Sequence, residues 1–132
     1  MISIEDFQKV EIKIGKIVSA EKVLDTDKLL RLVVDFGLKP STFHAEGSPD
    51  HSSVTNGPGE EQDIRQVVSG IAEFFPDPTA LNGTSAPFVT NIEPRVIRGL
   101  ESQAMILAVR SESGTFSFLY PSFEVPPGSK VG

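Results

Sequence analysis

Cysteine is absent from the 132 residues, and its absence excludes disulfides and thiolate metal sites. Tryptophan is absent as well, tyrosine occurs once and histidine twice. Both histidines, His44 and His51, fall in a stretch without periodicity beside Glu46 and Asp50. That pattern is a weak one for a transition metal, so neither a metal nor a cofactor is expected. No apolar run approaches the roughly 20 residues that a membrane helix needs. The opening segment, Met1 to Lys9, is amphipathic and acidic, unlike a secretory leader, and a cytoplasmic location is expected. Catalytic patterns are missing too. Gly57-Pro58-Gly59 lacks the lysine and following helix of a phosphate loop. No serine pairs with a histidine on a rigid element, and the carboxylates are scattered, so the chain is expected not to be an enzyme. Positive charge is also scarce: 12 Lys and Arg stand against 18 Asp and Glu, a net of −6. Residues 38–62 carry −3 of that charge, leaving −3 on the remainder. A broad basic surface is therefore excluded, whereas a local cationic patch of modest, salt-sensitive affinity is not.

What the chain does have is turn formers and β-branched residues, with 10 prolines, 11 glycines and 9 phenylalanines. Its length suits one domain with one core. Ser3 and Asp6 have the spacing of a helix cap, with Ile2 and Phe7 spaced as a hydrophobic staple. Val10, Ile12 and Ile14 alternate with polar residues, predicting a strand that bends or bulges at Gly15 and continues through Ile17-Val18. Glu21 to Lys28 is a polar connection with one helical turn expected. Leu30, Leu32, Val34 and Phe36 predict a second strand, with Arg31 on the opposite face. Residues 38–62 are rich in Pro, Gly, Ser and Thr and are expected to form a flexible insertion. Ile64 to Ser69 is a third strand, and Gly70 to Phe75 suits a short helical turn. Asp77-Pro78 reads as a helix start and Asn82-Gly83 as its end. Phe88 to Asn91 is a short strand, Arg95 to Gly99 a cationic loop, and Gln103 to Val109 strand five. Thr115 to Tyr120 pairs back across a turn at Ser113-Gly114. The end, from Pro121, is an extended arm. Together these predict an all-β chain whose five strands suit a small closed Greek-key barrel, of which the OB-fold is the commonest, with a short N-terminal helix, a short inter-strand helix and a C-terminal arm; composition alone gives only a small β barrel or sandwich.

Three segments concentrate polar and cationic side chains at strand ends. They are Asp27-Lys28-Leu29-Leu30-Arg31-Leu32, Arg65-Gln66-Val67-Val68-Ser69-Gly70 and Arg98-Gly99-Leu100-Glu101-Ser102-Gln103. A strand face of this kind offers cations to RNA phosphates and short polar groups to shape or exposed bases. Lys28, Arg31, Gln66, Ser69, Asn91, Arg95, Arg98, Ser102 and Gln103 are the candidate contacts.

These blocks, with Ser3-Ile4-Glu5-Asp6-Phe7, Val10-Glu11-Ile12-Lys13-Ile14-Gly15-Lys16-Ile17 and Val125-Pro126-Pro127-Gly128-Ser129-Lys130, run through the chain in a fixed order. The set resembles the tRNA-binding module appended to bacterial methionyl-tRNA synthetases and to human endothelial-monocyte-activating polypeptide. The resemblance covers Ser3 to Lys130, interrupted at 38–62. It implies one OB-fold domain over 1–132 that grips tRNA by shape, without catalysis. It also implies homodimers joined through the chain ends, and an aminoacyl-tRNA synthetase as a further partner. By the same resemblance Met105 packs beneath the RNA-facing residues or touches a base. The chain departs from the family pattern at Glu93, where a cation is common, and at Ala104, where glycine is usual. Those departures bear on affinity more than on fold. A related branch of the same barrel serves as a dimeric export-associated chaperone that binds peptides, and Val33-Val34-Asp35-Phe36-Gly37 is similar to that branch.

Overall fold

The computed structural model describes residues 1–39 and 61–132. Ser3 caps a one-turn helix, α1 (Ile4–Phe7), with both halves of a capping box present. The Ser3 hydroxyl accepts from the Asp6 amide, and the Asp6 carboxylate accepts from the Ser3 amide. Among the described residues ten strands follow: β1 (Ile12–Lys22), β2 (Leu30–Leu38), β3 (Gln62–Ser69), β4 (Ser85–Val89), β5 (Arg95–Ile97), β6 (Leu100–Ser102), β7 (Met105–Ile106), β8 (Ala108–Arg110), β9 (Phe116–Phe118) and β10 (Lys130–Val131). Between β3 and β4 lie two 3₁₀ turns, Ala72–Phe74 and Pro78–Leu81. The second is capped by the Asp77 side chain.

The main sheet runs β3-β2-β1-β4-β7, all antiparallel, with β10 added beside the start of β1. It curls until β3 meets β6 and β7. The all-β, five-stranded OB-like barrel is thus the observed fold. The alternation in β2 is followed closely: Leu30, Leu32, Val34 and Phe36 are buried, while Arg31, Val33 and Asp35 are half-buried on the outer face. Ile17, Ala20, Val67, Ala86 and Phe88 complete the barrel interior, where Phe36 meets Phe88 edge-on at 5.2 Å. The 3₁₀ residues Ala72 and Leu81 plug one side of this core. Phe74 stacks on Phe116 at 4.4 Å, tying the first turn to β9.

Several boundaries differ from the sequence expectation. In β1 the irregularity falls between Ile17 and Ser19, not at Gly15. Gly15 is required for another reason. A Cβ there would lie 2.5 Å from Val34 Cγ1 and 2.6 Å from Phe36 Cε1, so the glycine lets β1 press against the core of β2. Gly15 and Ile17 are buried, Ile14 is buried as well at 6% exposure, and Ile14 binds Gly128 and Ser129 of the arm through its backbone. Residues 23–29 form turns rather than a helical turn. β2 extends to Leu38 and β3 begins at Gln62, because Leu38 pairs with Gln62 and the Lys39 amide bonds the Glu61 carbonyl at 2.9 Å. The predicted insertion is thereby shortened at both ends, and the flexibility expected of it, with His44 and His51, lies outside the described residues. The strand predicted at 88–91 lies instead at Ser85–Val89, and the one predicted at 103–109 is split into β7 and β8. Arg95 to Gly99 is not a loop but half of the β5–β6 hairpin.

The arm is held by two facing glycines. A Cβ on Gly37 would meet the Pro127 carbonyl at 2.6 Å, and one on Gly128 would strike the Phe36 carbonyl. Both have positive φ, 84° and 89°, which a side chain would resist. Among the described residues no helix is long and apolar enough to cross a membrane.

Candidate nucleic-acid interface

The curl of the sheet leaves one edge of β3 facing the segment 101–104, and side chains rather than a continuous strand ladder close the gap. The Gln103 amide donates to the Gln66 carbonyl at 2.8 Å, and Gln103 Oε1 accepts from the Gln66 amide at 2.9 Å. Ser102 Oγ accepts from the Val68 amide at 3.0 Å and bonds the Ala104 carbonyl at 3.1 Å. These bonds satisfy edge amides that would otherwise be orphaned in a closed barrel.

Arg65, also on β3, forms a second clamp. Its Nε and Nη2 bond the two oxygens of Asp63 at 3.0 and 3.1 Å, and its Nη1 donates to the Thr90 carbonyl at 2.6 Å and the Gln103 carbonyl at 3.2 Å. Its guanidinium lies 5.3 Å over the Phe36 ring. The local sequence shows only part of this arginine's role: Asp63, two residues away, is its carboxylate partner, whereas the Thr90 and Gln103 carbonyls are remote along the chain.

The ten predicted contacts therefore divide. Ser102, one of the candidate contacts, is 6% exposed, with its hydroxyl committed to the seam. Gln103 is half-buried in the same seam. Arg31 and Gln66 lie on the outer face of β2 and β3, joined by a 2.6 Å bond from Arg31 Nε to Gln66 Oε1. Gln66 Nε2 reaches the Glu101 carbonyl at 2.9 Å, and Arg31 Nη1 lies 3.5 Å from Glu21. This network holds Arg31 along the face, with a third of its side chain exposed. Ser69 is half-buried where β3 ends opposite Leu30. Asn91 pins the start of β1: its Oδ1 accepts from the Glu11 amide at 2.8 Å, and its Nδ2 donates to the Lys9 carbonyl at 2.7 Å. Met105, partly exposed on β7, pairs with Val89. Val89 pairs with Ile12, so Asn91 and Met105 sit at the opposite end of β1 from the loop that carries Lys28.

Lys28 and Arg98, by contrast, come together. The loop joining β1 to β2 and the tip of the β5–β6 hairpin face each other across an open cleft of about 470 Å³, lined by Asp25, Thr26, Asp27, Lys28 and Leu29 on one side and Ile97 and Arg98 on the other. The hairpin makes this possible. Ile97 pairs with Leu100, so Arg98 and Gly99 form a two-residue turn, with φ of 54° and 81°. Positive φ at both central residues is the signature of a type I′ turn, which favours asparagine and glycine. An arginine in the first place is held in a costly conformation and is displayed at the tip. Arg95 is exposed on the same hairpin, opposite Ser102. Leu29 and Ile97 were not anticipated as cleft walls, since an apolar residue beside a turn reads as core.

The family model described as "Putative tRNA binding domain" matches residues 56–130. The chain belongs to this tRNA-binding family. Methionine–tRNA ligase of Enterococcus faecalis is 35% identical over 130 residues, a match covering 98% of this chain and 16% of the ligase. The chain thus spans about a sixth of the length of such curated relatives. Among solved structures, the methionyl-tRNA-synthetase-related protein of Pyrococcus horikoshii superposes with a TM-score of 0.76 at 30% identity, covering 100% of this chain and 98% of that one. The chaperone CsaA of Bacillus anthracis gives 0.72 at 25% identity, covering 100% and 99%. The tRNA-binding family and the chaperone thus share one barrel with this chain.

Proposed function

We propose that residues 1–132 act as one non-catalytic unit that binds tRNA by shape and backbone and assists a methionyl-type aminoacyl-tRNA synthetase in the cytoplasm. The observation that carries this reading is the convergence of Lys28 and Arg98 on one cleft. That cleft lies between the loop after β1 and a later hairpin, beside the outer face of β2 and β3 where Arg31 and Gln66 are aligned. OB-folds use this face and these loops for oligonucleotides. The family membership supports the class of ligand.

The reading includes a homodimer. Ile2, Ile4, Phe7 and Val10 are 70%, 65%, 41% and 42% exposed, an apolar surface on and around α1. Such a surface is suited to a second copy. Two binding faces then act on one RNA, which raises the affinity of a weakly charged protein.

A specific observation favours a second reading, a peptide-binding chaperone. Leu119 and Tyr120 just before the arm, and Phe123 within it, are 41%, 64% and 81% exposed on a chain of net charge −6. One titration separates the two. The protein is titrated with folded tRNA, an unstructured RNA of equal length and an unfolded polypeptide, each at two salt concentrations. Preference for folded tRNA that weakens with salt is the expected result. Polypeptide binding without RNA preference would overturn it in favour of the chaperone.

A further inference from the structure

Among the described residues only two other than glycine have positive φ: Asp25 at 66° and Arg98 at 54°. They are distant in sequence, yet both line the same 470 Å³ cleft. Strained residues of this kind persist where the surrounding structure holds them, and they gather at ligand sites. Here the strain displays opposite charges. Asp25 and Asp27 stand in the wall that also carries Lys28 and Leu29, and Ile97 and Arg98 stand across from them. None of these four charged side chains pairs with another described residue.

A backbone phosphate accounts for the two cations but not for the two carboxylates, which repel it. The occupant must therefore bring hydrogen-bond donors beside its anionic group, together with an apolar body for Leu29 and Ile97. An unstacked nucleotide has all three parts, and single-stranded RNA is read through the Watson–Crick edges of such splayed bases. The cleft falls within the range of about 300–1,000 Å³ common for small-ligand sites. Building on the tRNA-binding reading, we propose that this cleft seats one unstacked nucleotide, guanosine best. Its phosphate lies on Lys28 and Arg98, its base lies against Leu29 and Ile97, and the donor edge of the base meets Asp25 and Asp27. Guanine offers two adjacent donors, N1–H and N2–H, which match the two oxygens of a carboxylate. Uracil offers one donor flanked by carbonyl oxygens that a carboxylate repels.

The test uses the full chain and single-stranded heptamers of uridine in which only the central base varies, titrated at constant salt. Folded tRNA is titrated in parallel at two salt concentrations. The guanine-centred heptamer binds roughly 10-fold more tightly than the all-uridine one. In Asp25→Asn and in Asp27→Asn the ratio collapses, with the all-uridine heptamer gaining affinity. Asparagine keeps the size and tolerates positive φ, so a thermal melt is expected to show both variants folded. Equal affinity for all four central bases, with tRNA bound in a salt-dependent way, overturns the nucleotide seat and leaves the RNA reading standing. No salt-dependent binding to any RNA overturns both.

Discussion

Replacing Arg98 with asparagine sets stability and binding against each other. Arg98 holds φ of 54° beside Gly99 at 81° in the two-residue hairpin turn. The left-handed conformation costs an ordinary residue roughly 1–2 kcal/mol, and Asn-Gly is the sequence such a turn prefers. Arg98 is exposed, and its side chain makes no ion pair with another described residue, so little is lost from the fold when it is removed. Arg98→Asn is therefore expected to stabilise the chain by about 0.5–1 kcal/mol, raising the melting temperature by roughly 4 °C per kcal/mol. The same change deletes one of the two cations in the cleft. It is expected to weaken tRNA binding by about 1 kcal/mol, close to five-fold, and to flatten the dependence of log K on log salt by up to about one unit. Circular dichroism melts and tRNA titrations over a salt series measure both. A more stable variant with unchanged affinity and slope would reduce Arg98 to a strained turn residue without a role in RNA. A less stable variant would refute the strain argument itself.

Other perturbations separate the cleft from the seam. Lys28→Ala is expected to weaken tRNA binding by about 1 kcal/mol with no loss of stability, and unchanged binding in both Lys28→Ala and the Arg98 variant would remove the cleft as the RNA site. Ser102→Ala leaves the Val68 amide unsatisfied and is expected to cost about 1–3 kcal/mol of stability while the salt slope stays the same; a changed slope would return Ser102 to the interface. Arg65→Ala strands the Asp63 carboxylate, which is mostly buried, and two carbonyls, costing roughly 3 kcal/mol in a urea melt; a cost under about 1 kcal/mol would show that the clamp is dispensable. Excising residues 40–60 while keeping Lys39 and Glu61, already joined by a backbone bond of 2.9 Å and an ion pair of 3.6 Å, is expected to preserve cooperative melting, and its loss would give those residues a structural role.

The legibility of the fold followed the range of the forces involved. The Ser3–Asp6 cap, the alternation of β2 and the Asp77-Pro78 start are local patterns, and each was read correctly from a handful of neighbouring residues. Gly15 was visible as a special position, but its reason, the approach of Val34 and Phe36, lies in another strand. The hairpin at Arg98 was missed because its turn carries arginine where asparagine is the usual signal. Polar residues at strand ends were the hardest to divide. Lys28 and Ser102 look alike in sequence, yet one lines an open cleft and the other is sealed behind the Val68 amide. A hydroxyl's partner decides which it is, and here the partner is more than thirty residues away.

The pairing of β10 with β1, Ile12 opposite Val131 and Lys13 opposite Lys130, also bears on how the chain is made. During synthesis β1 is made before β10, the strand that covers its beginning. Until residues 130 and 131 leave the ribosome, the first part of β1 has β4 on one side and an open edge on the other. Such an edge invites pairing with other nascent chains. β10 therefore docks only after translation of the arm, onto a barrel already closed between β3 and the segment 101–104, and it pairs residues more than one hundred positions apart. Truncations within the arm are accordingly expected to harm yield in the cell more than they reduce the equilibrium stability of purified protein.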